Sequence, residues 1–301
     1  MPEGDTAYRA AHHLARSLTG RTIDRFELRV PKFAQFDLTG EKIIGADARG
    51  KHILLRIGDH TVHSHLGMDG SWRLVPPGSS GGLRSSSGRR LGSSGRRLGS
   101  SGGRRGQPAR AGGARGGPTT AWPAAHRIRA IIGTDAVIAL GIDLAKLECW
   151  PTADEPQRLG WLGPDLLATE PDLAEARRRI VSQPDRSITA ALLDQRNVAG
   201  LGNEYVTEMC FLRGVLPSRT VAEVGDIDEW LTLGRQLMLA NRDRVERTFT
   251  GDLRRPNWVF GREGRQCRRC GSNLVSGTHD SGSIRSGATD RESVWCPSCQ
   301  R

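Results

Sequence analysis

Apolar residues recur at 4-3-4 spacing through Ala7, Ala11, Leu14 and Leu18. That is one buried stripe of a helix, with Asp5 placed to cap it and Gly20 to stop it. From Thr22 the period shortens. Runs at 25–30, 52–57, 61–66, 71–75, 127–132 and 136–140 are separated by Gly, Asp and Pro, the pattern of a β-sandwich. Beyond Leu159 the pattern lengthens into helical segments at 173–182, 188–193, 204–212 and 226–247. From about Gly261 the chain is rich in Gly, Arg and Cys. The pattern divides the chain into a β-rich region 1–148, a helical region 149–260 and a small module 261–301.

The sandwich is interrupted between Val75 and His126. Ser-Ser-Gly-Arg-Arg-Leu-Gly stands at 86–92 and again at 93–99. A Gly/Ser/Arg repeat with almost no apolar content cannot offset its ordering entropy, so 79–118 is expected to be a disordered insert. This insert changes the meaning of the charge. The formal net charge is +11, but 79–118 holds nine arginines and no acid, and removing those nine charges leaves +2. Nucleic-acid binding therefore cannot be argued from net charge alone. Lysine is scarce, at positions 32, 42, 51 and 146 only, which gives weight to a lysine in a suggestive place. No stretch approaches the roughly 18–20 apolar residues of a membrane span, and no basic-then-apolar leader is visible. The expectation is a cytoplasmic protein, nucleoid-associated if bacterial, with reduced thiols.

Two places carry chemistry. The chain opens Met1-Pro2-Glu3-Gly4-Asp5-Thr6. Removal of Met1 makes Pro2 a free secondary amine beside the Glu3 carboxylate. An α-amino group titrates near pH 7.7–8, so roughly a tenth is uncharged at neutral pH. Its attack on an aldehyde-like carbon gives an iminium, an electron sink for breaking neighbouring bonds. Read alone, the same residues are an ordinary start to a helix. At the other end, Cys267-x2-Cys270 and Cys296-x2-Cys299 read as a closed four-thiolate structural zinc site. Cys149 and Cys210 read as buried thiols. His63 and His65, two apart on a strand, favour packing and hydrogen-bonding roles over metal binding. Between these ends, the turn 196–202 contains Gly200 and Gly202 and leads into a helix at Asn203, a good N-cap. Such a turn presents amide donors to an anion.

Pro2-Glu3-Gly4, Arg49-Gly50-Lys51-His52, Ser64-His65-Leu66-Gly67-Met68-Asp69-Gly70, Leu193-Asp194-Gln195, Val198-Ala199-Gly200-Leu201-Gly202-Asn203 and the four cysteines follow in order. Together they resemble the formamidopyrimidine-DNA glycosylase/endonuclease VIII family, over the whole chain except the insert. The Pro-Glu-Gly start is more similar to the endonuclease VIII branch. The resemblance implies an α+β multidomain fold: an N-terminal β-sandwich with flanking helices, a helix–two-turn–helix domain and a C-terminal zinc finger. It implies one structural Zn2+ on Cys267, Cys270, Cys296 and Cys299. Damaged double-stranded DNA would lie in the cleft, with single-stranded or bubble DNA as alternatives, and the chain would act as a monomer.

By the same resemblance Pro2 would attack C1′ of a flipped nucleotide, with Glu3 as acid/base partner. Lys51 would contact a phosphate near the lesion and assist lyase chemistry. Asn203 would bind phosphate. Arg291 would grip lesion phosphates and serve δ-elimination. Met68 would wedge into the space left by the flipped base, or else be a core methionine. Displacing the base leaves C1′ bonded to Pro2, and loss of the C2′ proton then drives elimination of the 3′ and 5′ phosphates. Oxidised pyrimidines are the expected lesions. Activity on oxidised purines, chiefly AP-site cleavage, and damage binding without useful catalysis are the alternatives. Departures bear on lesion choice: Thr189 stands where the family often has Lys, and Gly141-Ile142-Asp143-Leu144 replaces the Arg-Arg-Phe-Gly loop of the purine branch.

Overall fold

The computed structural model describes residues 2–78, 122–279 and 291–301, and the 79–118 insert lies outside them. Helix α1 (Gly4–Leu18) precedes two four-stranded antiparallel sheets. One contains β1 (Ile23–Leu28), β5 (Ser71–Val75), β6 (Ile128–Thr134) and β7 (Ile138–Ile142), in the order β1-β6-β7-β5. The other is β2 (Ile43–Arg49), β3 (His52–Ile57), β4 (His60–His65) and β8 (Lys146–Pro151), in chain order. Ala7, Ala11, Leu14 and Leu18 of α1 share one core with Ile53, Leu55, Ile57 and Val62, which lie on one face of β3 and β4. The opposite face of that sheet carries Leu54 and Trp150, packed with Leu159, Leu162 and Ala199. The sandwich is thereby joined to the helices that follow.

Those helices are α2 (Glu155–Leu159), α3 (Leu173–Val181), α4 (Ile188–Leu193), α5 (Asn203–Arg213) and α6 (Ile227–Asn241). Their core gathers Val198, Leu201, Tyr205, Met209 and Trp230. Helix α5 is buried all round from Asn203 to Phe211, and Phe211 reaches a separate small core with Val259, Leu274 and Val294. The hairpin β9 (Val275–His279) and β10 (Arg291–Trp295) completes the last module. Among the described residues no helix is long and apolar enough to cross a membrane.

Three local readings are corrected. Asp5 does not cap α1; Glu3 holds the cap position and Asp5 turns to Arg247 and Tyr205 instead. Gly202, not Asn203, caps α5, and the Asn203 side chain reaches the last module. Helix α6 stops at Asn241 and not at Arg247. The Asn241 carboxamide bonds both the N–H and the C=O of Thr248, which ends the helix by turning the chain back.

Candidate active site at the chain terminus

The start of α1 is pressed against the glycine turn that precedes α5. The Gly4 N–H donates to the Gly200 carbonyl at 2.9 Å, and Gly200 holds φ +110°, a conformation few other residues adopt. Gly202 leaves the space into which Glu3 fits: a Cβ there would lie 2.6 Å from both carboxylate oxygens. Glu3 is 1% exposed. Its Oε1 accepts from the Glu204 N–H at 2.9 Å, while the buried Oε2 has no hydrogen-bond partner among the described residues. Burial raises the Glu3 pKa, opposed by the Lys51 and Arg247 charges and the Glu204 N–H, with Asp5 adding to the rise. This carboxyl is therefore set to hold a proton more readily than an exposed one. Pro2 lines a cavity of about 460 Å³ with Thr6, Arg9, Glu204, Val245 and Leu253.

Lys51 sits in the turn between β2 and β3. That turn is anchored to the helical region by Asp165, whose Oδ2 accepts from the Gly50 N–H at 2.8 Å and whose Oδ1 accepts from the Leu167 N–H at 2.9 Å. Burial raises the Asp165 pKa against these two donors and the Arg49 and Arg235 charges. Lys51 contributes to the field at Glu3, His52 and His65, so it belongs to the same electrostatic neighbourhood as the chain terminus.

Met68 is 64% exposed in the turn after β4, which excludes the core reading. The His65 Nδ1 accepts from the Gly67 N–H at 3.0 Å and holds the start of that turn. His63 is buried, its Nε2 2.8 Å from His52 Nδ1 and its Nδ1 3.2 Å from Glu148. Thr189 faces inward and donates to the Pro217 carbonyl at 2.7 Å, leaving no side chain there for a phosphate.

Asn203 bridges to the last module. Its Nδ2 donates to the Glu292 carbonyl at 3.0 Å, and its buried Oδ1 has no hydrogen-bond partner among the described residues. Arg291 is the neighbour of Glu292 at the start of β10, its backbone paired with His279. Glu208 draws the linker in, accepting the N–H groups of Trp258, Val259 and Phe260 at 2.8–2.9 Å. The sulfurs of Cys267, Cys270, Cys296 and Cys299 lie within 4.8 Å of one another. Thiolates 2.3 Å from a tetrahedral zinc stand about 3.8 Å apart. The separations of 4.0 Å for Cys267–Cys299 and 3.4 Å for Cys270–Cys296 bracket that value. The four cysteines could therefore hold a metal ion. No other such group of three or more ligands occurs among the described residues.

The structure thus gathers Pro2, Glu3 and Lys51 at one place and sets Asn203 beside the strand that carries Arg291. Asp165 and Arg247 were not singled out by sequence reasoning. Each acts across more than a hundred residues of chain, at separations of 115 and 242 from Gly50 and Asp5. No local pattern marks them.

Comparison with known proteins places the fold. Residues 1–99 match the formamidopyrimidine-DNA glycosylase N-terminal domain, and residues 162–232 match the H2TH domain of the same enzymes. "Endonuclease 8 2" of Mycobacterium bovis is 38% identical over the full length of both chains. "Probable endonuclease 8 2" of Streptomyces coelicolor is 40% identical, covering 100% of this chain and 94% of its own. The "DNA-(apurinic or apyrimidinic site) lyase Nei2" of Mycolicibacterium smegmatis is 35% identical, covering 100% and 99%. The fold matches a solved structure of Lactococcus lactis Fpg with DNA containing an abasic site, at TM-score 0.71 and 21% identity over 99% of each chain. With relatives this similar along its whole length, the chain belongs to the formamidopyrimidine-DNA glycosylase/endonuclease VIII family.

Proposed function

We propose that this protein is a bifunctional DNA glycosylase and AP lyase that removes oxidised pyrimidines through a Schiff base on Pro2 and cleaves the strand by β,δ-elimination. The observation that carries this reading is the burial of Glu3 in the space left by Gly202, beside the Pro2 cavity. A carboxyl that retains a proton next to a secondary amine can protonate the sugar-ring oxygen as the amine bonds to C1′. The same carboxylate then accepts the proton when the base has left and C2′ is deprotonated. Electrons from the C2′–H bond form the C1′=C2′ enamine as the iminium pair returns to nitrogen. The nitrogen pair then re-forms the iminium while the C1′=C2′ pair moves to C2′=C3′ and the C3′–O pair leaves with the 3′ phosphate. A second proton loss expels the 5′ phosphate.

Lys51, Asn203 and Arg291 are assigned to the phosphates around the lesion, and Met68 to the gap in the duplex. The exposure of Met68 supports that role. Domain limits of 1–148, 149–260 and 261–301 fit this division of labour. Zinc, held by Cys267, Cys270, Cys296 and Cys299, would supply the last module with a structural staple and no catalytic step. For the lesion, the relatives of 35–40% identity carry endonuclease 8 or AP-lyase names, in keeping with the endonuclease VIII branch, and the preference for pyrimidines rests on the resemblance to that branch. The exposed Val245 and Leu253 add apolar surface to the cavity that Pro2 lines.

The test uses untagged protein, borohydride, and duplexes carrying thymine glycol, 8-oxoguanine or an abasic site. Wild type should trap best on thymine glycol and the abasic site. Pro2→Gly, which keeps a primary amine at the terminus, should not trap on thymine glycol and should trap far less on the abasic site. Glu3→Gln should lose the glycosylase step first. No adduct on any duplex would overturn the enzyme reading, and trapping on the abasic duplex alone would leave a lyase. A tag ahead of Pro2 should silence the protein.

A further inference from the structure

We infer that Arg247 is a positioning residue for the Pro2–Glu3 pair, a clamp that ties the start of α1 to the start of α5 beneath the nucleophile. The inference rests on the reading of Pro2 and Glu3 given above. Arg247 stands beyond the end of α6, where the Asn241 turn sends the chain back toward α1. Its Nε and Nη2 donate to the two oxygens of Asp5 at 2.5 and 2.7 Å, a bidentate pair. Nη1 donates to Glu204 Oε2 at 2.5 Å, and Nη2 also donates to Thr6 Oγ1 at 2.8 Å. The guanidinium lies over the Tyr205 ring, 5.4 Å from its centroid, and the Tyr205 hydroxyl donates to the same Asp5 carboxylate.

Each partner adjoins a residue of the site. Asp5 is two residues from Glu3, and Glu204 supplies the N–H that Glu3 accepts. Arg247 itself lines the cavity with Pro2. Three carboxylates, Glu3, Asp5 and Glu204, thus meet at one end of two helices. Arg247 neutralises two of them directly and acts on the third through space. Lys51 also acts on Glu3 as a cation.

The sign of its influence is the same on both reacting groups. A nearby cation makes an ammonium less favourable and a carboxylate more so, and both effects lower a pKa. Losing Arg247 also unmasks Asp5 and Glu204, which pushes both pKa values further up. The clamp therefore keeps more of the Pro2 amine free at neutral pH and fixes where it points.

The experiment measures single-turnover strand cleavage at saturating abasic duplex, across pH, for wild type, Arg247→Gln and Arg247→Lys. Binding to an uncleavable abasic analogue is measured alongside. Arg247→Gln should slow cleavage on the order of 100-fold, the scale of a misplaced reacting group. Its affinity for the analogue should stay within about threefold, and its pH–rate profile should move to higher pH, the direction expected when a cation beside both groups is lost. Arg247→Lys should restore the profile's position but only part of the rate, because Lys keeps the charge and loses the bidentate geometry. A folded Arg247→Gln with wild-type pH profile, or one losing affinity and rate together, would overturn the inference. Should that variant not fold, Asp5→Asn tests the pair from the other side. It should slow cleavage and move the profile down, and wild-type behaviour would be equally fatal. An 15N titration of Pro2 without DNA reads the same shifts, so the clamp is judged even if the wild type forms no adduct.

Discussion

Gly202 and Glu3 are complementary in shape: a Cβ on the glycine would lie 2.6 Å from both oxygens of the carboxylate. The contact is far inside van der Waals range, and the helix start it belongs to is buried. The atoms in the way are the end of the Glu3 side chain, so it is the carboxylate that must move. Gly202→Ala should displace the Glu3 side chain and with it the N–H contact from Glu204. The expected outcome is loss of nearly all borohydride trapping, with a stability loss of about 1–3 kcal/mol from overpacking. A trapping assay beside a thermal melt checks both, and wild-type trapping in a folded Gly202→Ala would mean that Glu3 need not occupy this space.

Asp165 fixes the Lys51 turn from a distance. Removing its carboxylate leaves the Gly50 and Leu167 N–H groups without their acceptor, a penalty of about 1–3 kcal/mol for each buried donor left unmet. Asp165→Ala should lower stability by that order and slow strand cleavage more than it weakens DNA binding, because Lys51 loses its fixed position and not its charge. Kinetics at saturating DNA, read against the affinity for an abasic analogue, separate the two effects.

The parts of this molecule that were legible in its sequence are those written in local spacing. The Ala7–Leu18 stripe is a buried helix face, the segment 188–193 is a helix, and the two Cys-x2-Cys pairs come together. Strands β2 and β8 escaped notice because Gly45, Asp47 and Glu148 interrupt their apolar runs; Asp47 and Glu148 are paired in their ladders, and the β2 register shifts between Ile43 and Gly45. Asp5 looked like a helix cap because its true partner, Arg247, stands 242 residues away. Helix α6 looked longer than it is because its stop signal is Asn241, an ordinary helix residue until its carboxamide captures Thr248. Asn203 likewise reads as a cap until the strand that takes its side chain is in place. Long-range polar pairing is what a spacing argument cannot see.

The four-cysteine module shares a small core of Phe211, Val259, Leu274, Val294 and the buried cysteines with the end of α5, joined to the helical core through Trp258. Loss of a ligand should be felt first in that small core. Cys296→Ser, or a strong chelator, should abolish uptake of the zinc proposed for this site and weaken binding of abasic duplex. The main thermal transition of the sandwich and helices should stay in place. Metal release followed with a chromophoric chelator, alongside a melt, checks the pair of outcomes.

Glu208 makes the position of that module sensitive to pH. It is fully buried in α5, where burial pushes its carboxyl up to about 7 against the N–H groups of Phe260, Val259 and Trp258. In the unfolded chain it would titrate near 4.5. Between these values the folded state holds the proton more tightly, so its contribution favours folding below pH 4.5 and is lost as pH rises through about 7. The melting temperature should fall by several degrees, roughly, between pH 5 and pH 8 from this group. Glu208→Gln removes the titration, so that part of the pH slope should vanish. It also leaves one carbonyl oxygen where two carboxylate oxygens accepted three donors, so at pH 8 the linker at 258–260 should exchange its amide hydrogens faster than in wild type. Hydrogen exchange at those three amides is the deciding measurement. Unchanged protection there, with an unchanged pH slope in the melts, would show that the linker is held by its apolar contacts alone.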